Sequence, residues 1–378
     1  MHYQFALAQG RAPAAAVVPA AAVAPASDPA ALAHARAPAA PAGDPANRGG
    51  LFAKLREAPG EPRATARPTP PRRPAPRNDS CANGVVALTY ASHRGRDDRF
   101  CRSLESAIRN GLDLRVLGWG VKWEGLSQKL GAALEAVEAL PADCPVVFTD
   151  AYDVLFARGG ESMRRAFDAI GKPLVFSAEC GCWPQVTRDK GRTCRDKYPK
   201  SPTPYRYLNS GSWAGRASVA ARFLRAIGAG GTEPLAFHRL NDQELASELY
   251  MAGGFPGLAL DHGATLFQAM HAVKDTTLVP DCDPRPDLVE ERGSWINKRT
   301  GSAPAVFHFN GGGKRHHLAM EARTWWKRCE NAQALAALAR VEATELLFNG
   351  RRQTFGAICP GHLAQARGAG DLPCADRP

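Results

Sequence analysis

Three short segments hold residue types that can do chemistry together. In Phe148-Thr149-Asp150-Ala151-Tyr152-Asp153, two carboxylates three residues apart follow an apolar stretch. Carboxylates just past a strand's carboxyl end can hold a hard divalent cation, and in an open α/β sheet ligands bind at that end. Aspartate is also common in turns, so the pair alone is weak evidence. The second segment, His308-Phe309-Asn310-Gly311-Gly312-Gly313-Lys314, offers an imidazole to the same cation. Its glycines let backbone N–H groups come close to a diphosphate, with Lys314 as a point charge. A set of carboxylates, imidazole and phosphate suits manganese better than magnesium. A flexible glycine turn is the competing reading. The third feature is Tyr207-Leu208-Asn209-Ser210-Gly211-Ser212 together with Asn241-Asp242-Gln243. These are expected in loops, where polar side chains can bond sugar hydroxyls, and Asp242 is a candidate for an acid/base or sugar-contacting role. Asn241 before Asp242 and Glu244 also reads as a helix cap with acids in the first turn; both readings can hold at once.

The surrounding pattern supplies the elements that must position these groups. Val85 to Tyr90, Leu114 to Gly118, Pro145 to Phe148 and Leu174 to Ser177 are short apolar runs expected to be strands. Between them, 99–110, 126–140 and 160–170 carry apolar residues at helical spacing. Strand–helix alternation predicts a mostly parallel central sheet flanked by helices. Further on, 187–204 and 281–302 are expected to be loops. Helices are expected at 219–228, 243–251 and 331–347, and a late strand at 304–308. The last thirty residues show no clear element. Trp119, Trp213, Trp295, Trp325 and Trp326 are expected mainly in packing roles. His316 and His317, beside Lys314-Arg315, read as a solvated basic patch.

Composition limits the alternatives. The chain has 378 residues, 44% of them hydrophobic, enough for a real core. Of its 30 prolines, 14 fall in residues 1–80, whose Ala-Pro tracts predict a disordered tail, linker or targeting segment. Nearly half of the +11 formal charge lies in that tail. With no helix-turn-helix, RNA-recognition or zinc-finger pattern, no specific nucleic-acid partner is expected. No nucleophile elbow argues for a hydrolase. Ten cysteines without paired CxxC motifs point to disulfides in an oxidising compartment. No apolar run is long enough for a transmembrane helix. The first residues do not read as a signal peptide; the Ala-rich start is compatible with a transit peptide or a truncated stem.

Taken together, six short words resemble the glycosyltransferase domain of the procollagen lysyl hydroxylases. They are Phe-Thr-Asp-Ala-Tyr-Asp-Val-Leu-Phe at 148–156, Phe-Ser-Ala-Glu-Cys-Gly-Cys-Trp-Pro at 176–184, Tyr-Leu-Asn-Ser-Gly at 207–211, Asn-Asp-Gln at 241–243, Leu-Asp-His at 260–262 with Leu-Phe-Gln at 266–268, and His-Phe-Asn-Gly at 308–311. The resemblance covers residues 84–330 and keeps order and spacing. It implies a GT-A-like nucleotide-sugar transferase fold over 81–330, followed by a helix and loop extension over 331–378. It implies a UDP-sugar donor, with galactose or glucose transferred, and Mn2+ held by Asp150, Asp153 and His308. Thr89, Trp123 and Tyr152 would contact uridine, and Lys129 the nucleotide sugar. Asn310, Gly311 and Lys314 would hold the diphosphate, while Trp183, Asn209 and Asp242 would face sugar or acceptor. The implied acceptor is a hydroxyl on a protein, hydroxylysine or glycosylated hydroxylysine; the alternatives are a glycan or lipid acceptor, or an inactive nucleotide-sugar-binding module. The implied location is the endoplasmic reticulum or Golgi lumen. Two departures stand out: the family's run of aspartates before Gln is reduced to Asn241-Asp242, and the Pro-Thr after its Asn-Gly is Gly312-Gly313. Residues after 330 are too few for the family's hydroxylase fold, so glycosylation without hydroxylation is expected.

Overall fold

The computed structural model describes residues 81, 84–92, 97–185, 189, 191–274, 281–291, 294–328 and 332–363. The expected disorder of the proline-rich tail at 1–80 lies outside the described residues, as does the chain end at 364–378.

The alternation expected at the start is present. Strands β1 (Val86–Tyr90), β2 (Leu114–Leu117) and β3 (Pro145–Thr149) are separated by helices α1 (Asp98–Arg109) and α2 (Gln128–Glu138). Helix α1 starts where the Asp97 carboxylate accepts from Arg99 N–H at 2.9 Å and Phe100 N–H at 3.3 Å. It turns Phe100, Cys101, Leu104 and Ala107 into the core. After β4 (Val154–Phe156) and α3 (Gly160–Ile170) comes β5 (Leu174–Glu179). A short helix α4 (Arg192–Lys197) interrupts the expected loop at 187–204.

Strand β6 (Tyr207–Arg216) departs from the expected loop. Tyr207 to Ser212 is not a loop but the start of a buried ten-residue strand. Asparagine, serine and glycine have low strand propensity, but here antiparallel pairing to β3 on one side and β5 on the other overrides it. Then follow α5 (Ala217–Ala226), α6 (Pro234–His238), α7 (Asp242–Met251), β7 (Leu258–Asp261) and β8 (Phe267–Ala269). The expected loop at 281–302 contains an antiparallel hairpin, β9 (Leu288–Glu291) and β10 (Ser294–Asn297). The late strand is β11 (Val306–His308), followed by a 3-10 turn over Gly311–His316 and helices α8 (His317–Glu321) and α9 (Trp325–Arg328). Helix α10 (Ala332–Ala343) is shorter than expected, because Glu345 onward forms strand β12 (Glu345–Phe348). Strand β13 (Arg351–Thr354) and helix α11 (Phe355–Ile358) complete the described elements.

The main sheet has the order β13-β12-β2-β1-β3-β6-β5-β7. The β12·β2, β2·β1, β1·β3 and β5·β7 pairs are parallel. This is the mostly parallel, helix-flanked α/β architecture expected of a GT-A-like fold. A small sheet, β4-β11-β8, stands beside it. Trp119, Trp213, Trp295 and Trp326 are buried as expected, whereas Trp325 is 41% exposed.

Candidate functional site

Asp150 and Asp153 occupy the link between β3 and β4, at the carboxyl end of a central parallel strand. His308 ends β11, and the register of the small sheet sets it opposite Val154. Two sheets therefore deliver two carboxylates and an imidazole to one point: their potential ligand atoms lie within 4.8 Å of one another. The His308 Nε2 is 3.6 Å from Asp150 Oδ2 and 3.5 Å from Asp153 Oδ1.

The imidazole is aimed by its other nitrogen. His308 Nδ1 lies 2.9 Å from Asn209 Oδ1. An amide oxygen only accepts, so Nδ1 donates, and it is Nε2 that faces the carboxylates and would give its lone pair to a bound cation. A half-buried carboxylate pair beside an aimed imidazole nitrogen fits a divalent cation. The electrostatics agree. Burial opposes charge on His308, but Asp153 and Asp150 outweigh it and raise the imidazole above its ordinary value. Burial likewise pushes the Asp153 carboxyl up, but His308 and Lys314 overrule it and hold it at about 2. The site thus stabilises added positive charge.

Strand β6 shapes the floor through an irregularity. Its register against β5 shifts between Phe176 and Ser177, so that Phe176 faces Trp213 while Ser177 faces Asn209. The intervening residues bulge toward the cluster, as bulges near active sites do. The Gly211 carbonyl there accepts from Asp150 N–H at 2.7 Å.

Lys129 in the first turn of α2 reaches the same place. Its ammonium is 2.7 Å from Asp150 Oδ1 and 3.0 Å from Asp242 Oδ2. Burial alone would lower its pKa, but these two carboxylates raise it, so the lysine stays charged. Asp242 is buried and also accepts from the Ser210 hydroxyl at 2.7 Å. The capping reading of Asn241 holds as well: its side chain accepts from Gln243 and Glu244 N–H.

Glu179, at the end of β5, was not singled out by sequence reasoning. It is fully buried, and burial pushes its carboxyl up. Asn209 and Gln243 donate to its Oε1 at 2.9 and 2.8 Å, and Asn310 to its Oε2 at 2.6 Å. Each amide is held in that orientation by what its oxygen accepts: from His308 and Gly211 N–H at Asn209, from Ser210 N–H at Gln243, and from Met270 and His271 N–H at Asn310. One carboxylate therefore ties together the strand that aims His308, the helix that carries Asp242 and the glycine loop. The available signal was an acid closing an otherwise apolar run.

The other expected residues are placed as follows. Lys314 is exposed and lies 3.4 Å from Asp153 Oδ2. The Asn310 side chain is occupied by Glu179 and by backbone N–H groups, so it shapes the loop. Gly311 has φ +50°, a conformation suited to glycine. Tyr152 is half-buried against Phe100, with the Arg99 guanidinium 5.9 Å from its ring. Thr89 is buried, and its hydroxyl donates to the Thr149 carbonyl at 3.0 Å. Trp123 is 47% exposed beside Tyr90, and Trp183 is 43% exposed, its carbonyl accepting from Gln243. His317 is not solvated as expected: it is buried, stacks on Phe309 at 4.4 Å, and is pushed down to about 4 by burial and Arg102.

The family model for the PLOD GT domain matches residues 82–323. The chain belongs to the PLOD GT-domain family. It therefore carries a glycosyltransferase domain. Members of similar sequence include procollagen-lysine,2-oxoglutarate 5-dioxygenase 2 of Mus musculus, 28% identical over 210 residues, covering 52% of this chain and 27% of that protein. The multifunctional procollagen lysine hydroxylase and glycosyltransferase LH3 of Rattus norvegicus is 27% identical over 252 residues, covering 63% and 31%. The uncharacterized protein R699 of Acanthamoeba polyphaga mimivirus is 26% identical over 230 residues, covering 58% and 43%. The match thus spans less than half of each relative. Among solved structures, the galactosyltransferase LgtC in complex with donor and acceptor sugar analogs aligns over 66% of this chain and 99% of its own, at 12% identity and a TM-score of 0.32.

The described residues contain four disulfides, Cys81–Cys144, Cys101–Cys359, Cys180–Cys282 and Cys182–Cys194. Among them no helix is long and apolar enough to cross a membrane.

Proposed function

We propose that this PLOD GT-domain protein transfers a hexose, galactose or glucose, from a UDP-sugar to a hydroxyl of a protein acceptor, with Mn2+ held by Asp150, Asp153 and His308. The observation that carries the reading is the aimed cluster: two carboxylates facing an imidazole whose Nδ1 is committed to Asn209. A cation bound there supplies Lewis-acid stabilisation of a diphosphate leaving group. The chain's own groups do the rest. Lys314 stands at the cluster's open side, where it would meet a phosphate oxygen. Lys129 fixes Asp150 and Asp242 relative to each other. Hydroxylysine is the acceptor favoured by the resemblance and by a relative that is both a procollagen lysine hydroxylase and a glycosyltransferase. The four disulfides favour an oxidising lumen as the place of work.

The test is a screen of UDP-sugars with the full chain, with and without Mn2+, reading UDP release and transfer to hydroxylysine peptides. Mn2+-dependent release with one or two UDP-hexoses is expected, and Asp153→Asn should reduce it at least about a hundredfold, the scale of losing a metal ligand. No UDP release from any UDP-sugar, together with unchanged nucleotide binding by Asp153→Asn, would reduce the protein to a binding module. Good transfer to glycans and none to hydroxylysine peptides would replace the acceptor.

A further inference from the structure

Next to Lys314 the basic patch contains more positive charge than its acids neutralise. Arg315 donates through Nε to His316 Nε2 at 2.9 Å, and Arg285 Nη1 lies 3.1 Å from the same nitrogen. One imidazole nitrogen facing two guanidinium groups must be the acceptor, so His316 is neutral and merely spaces the two arginines. Asp283 is fully engaged by Arg285, through both of its oxygens. Among the described residues Arg315 has no acidic partner. Both arginines are exposed.

The patch is fixed beside the reaction centre. Lys314, the preceding residue, touches Asp153. The Gly312 N–H donates to His271 Nδ1 at 3.0 Å, and a Cβ on Gly181 would come within 3.3 Å of the same ring, so His271 bridges the glycine loop and the Trp183 segment. The Arg285 segment is held there by Cys180–Cys282 and by the backbone pairing of Val273 with Cys282. The acids of the centre are already committed: Asp242 to Lys129 and Ser210, Glu179 to three amides. The two negative charges of a UDP-sugar's diphosphate would be met by a divalent cation and Lys314. Arg315 exceeds that need, whereas Arg285 is already paired with Asp283.

We infer that Arg315, spaced from the Arg285–Asp283 pair by His316, forms an anion-binding subsite that takes a carboxylate carried by the acceptor peptide close to its reacting hydroxyl. Its guanidinium engages His316 through Nε, and the Nη groups suit a carboxylate geometrically; its position beyond Lys314 puts it outside the donor's own charges. This selects acidic sequence contexts among hydroxylated segments. The inference rests on the proposed transfer to a protein acceptor, but its test does not require turnover.

Binding of two fluorescent peptides would be measured on the full chain with Mn2+ and UDP. Each contains one hydroxylysine, flanked by Glu in one and by Gln in the other. The Glu peptide is expected to bind about tenfold more tightly, a preference that weakens with added salt. Arg315→Gln should erase the preference, and Arg315→Lys should restore part of it. Equal affinity for the two peptides, or a preference that survives Arg315→Gln, overturns the inference. So does a matching loss of UDP affinity in Arg315→Gln, which would give the arginine to the donor. Transfer without acid preference leaves the proposed function standing, and acid preference without transfer leaves the subsite standing.

Discussion

Gly211 shows how closely the cluster is packed. A Cβ there would sit 2.2 Å from His308 Cε1 and 2.8 Å from Asp150 Oδ2. Neither atom is the free end of a flexible chain, because His308 is held by Asn209 and Asp150 by Lys129. Gly211→Ala is therefore expected to displace a metal ligand and weaken Mn2+ binding by about tenfold to a hundredfold. Paramagnetic resonance titration of Mn2+ reads this directly. Gly131→Ala, where the new Cβ meets nothing within 4 Å, is the matched control and should leave affinity unchanged. Affinity within about twofold in Gly211→Ala would mean that β6 relaxes around the methyl group. At this scale the three candidate ligands that the fold brings together were legible, because carboxylates and an imidazole announce themselves by type. Glu179 was not. Its partners come from β6, α7 and the glycine loop, and a hub assembled from distant segments has no local spacing to read.

The elements show a similar division. Helices α1, α2 and α3 follow from apolar periodicity, and strands β1, β2, β3 and β5 from short apolar runs; β1, β3 and β5 are buried along their whole length. Strand β6 escaped because its small polar residues are selected by the site they build and not by strand propensity. Helix α7 couples the two. Its cap, Asn241, places Asp242 against Lys129 and lets Gln243 hold both Glu179 and Ser210 N–H. Asn241→Ala removes the capping acceptor and should cost about 1 kcal/mol of stability. Because the first turn carries the site, Mn2+-dependent UDP release should fall by more than that small loss of folded protein explains. Thermal melting and UDP release measured on the same preparation separate the effects. Lower melting temperature with full UDP release would show that the site is insulated from the cap.

The whole molecule is closed by contacts that no local pattern contains. Asn349-Gly350, both with positive φ, is a recognisable hairpin turn, and the sequence reading passed over it. What could not be read is that β12 pairs with β2 and that the segment around Cys359 returns to α1. Cys101–Cys359 makes that closure over a separation of 258 residues, where loop-entropy arguments give a stabilisation of roughly 5 kcal/mol. Beside it, buried Glu105 accepts from Arg109 Nη2 at 3.1 Å, Lys327 at 3.4 Å and His362 at 3.0 Å, joining α1, α9 and the segment after α11. Burial alone would push this carboxyl up, but His362, Lys327 and Arg109 hold it at about 2, below its ordinary value. A carboxylate depressed on folding stabilises above its unfolded value and loses that contribution as pH falls toward its folded value. Glu105→Gln is therefore expected to cost about 3 kcal/mol at pH 7, the worth of that depression. The gap should close between pH 4.5 and about 2, where the wild-type carboxyl takes up its proton. Urea unfolding of both proteins across that range tests it. A gap that stays constant down to the acid limit would show that Glu105 holds the His362 segment by shape and hydrogen bonding, without its charge.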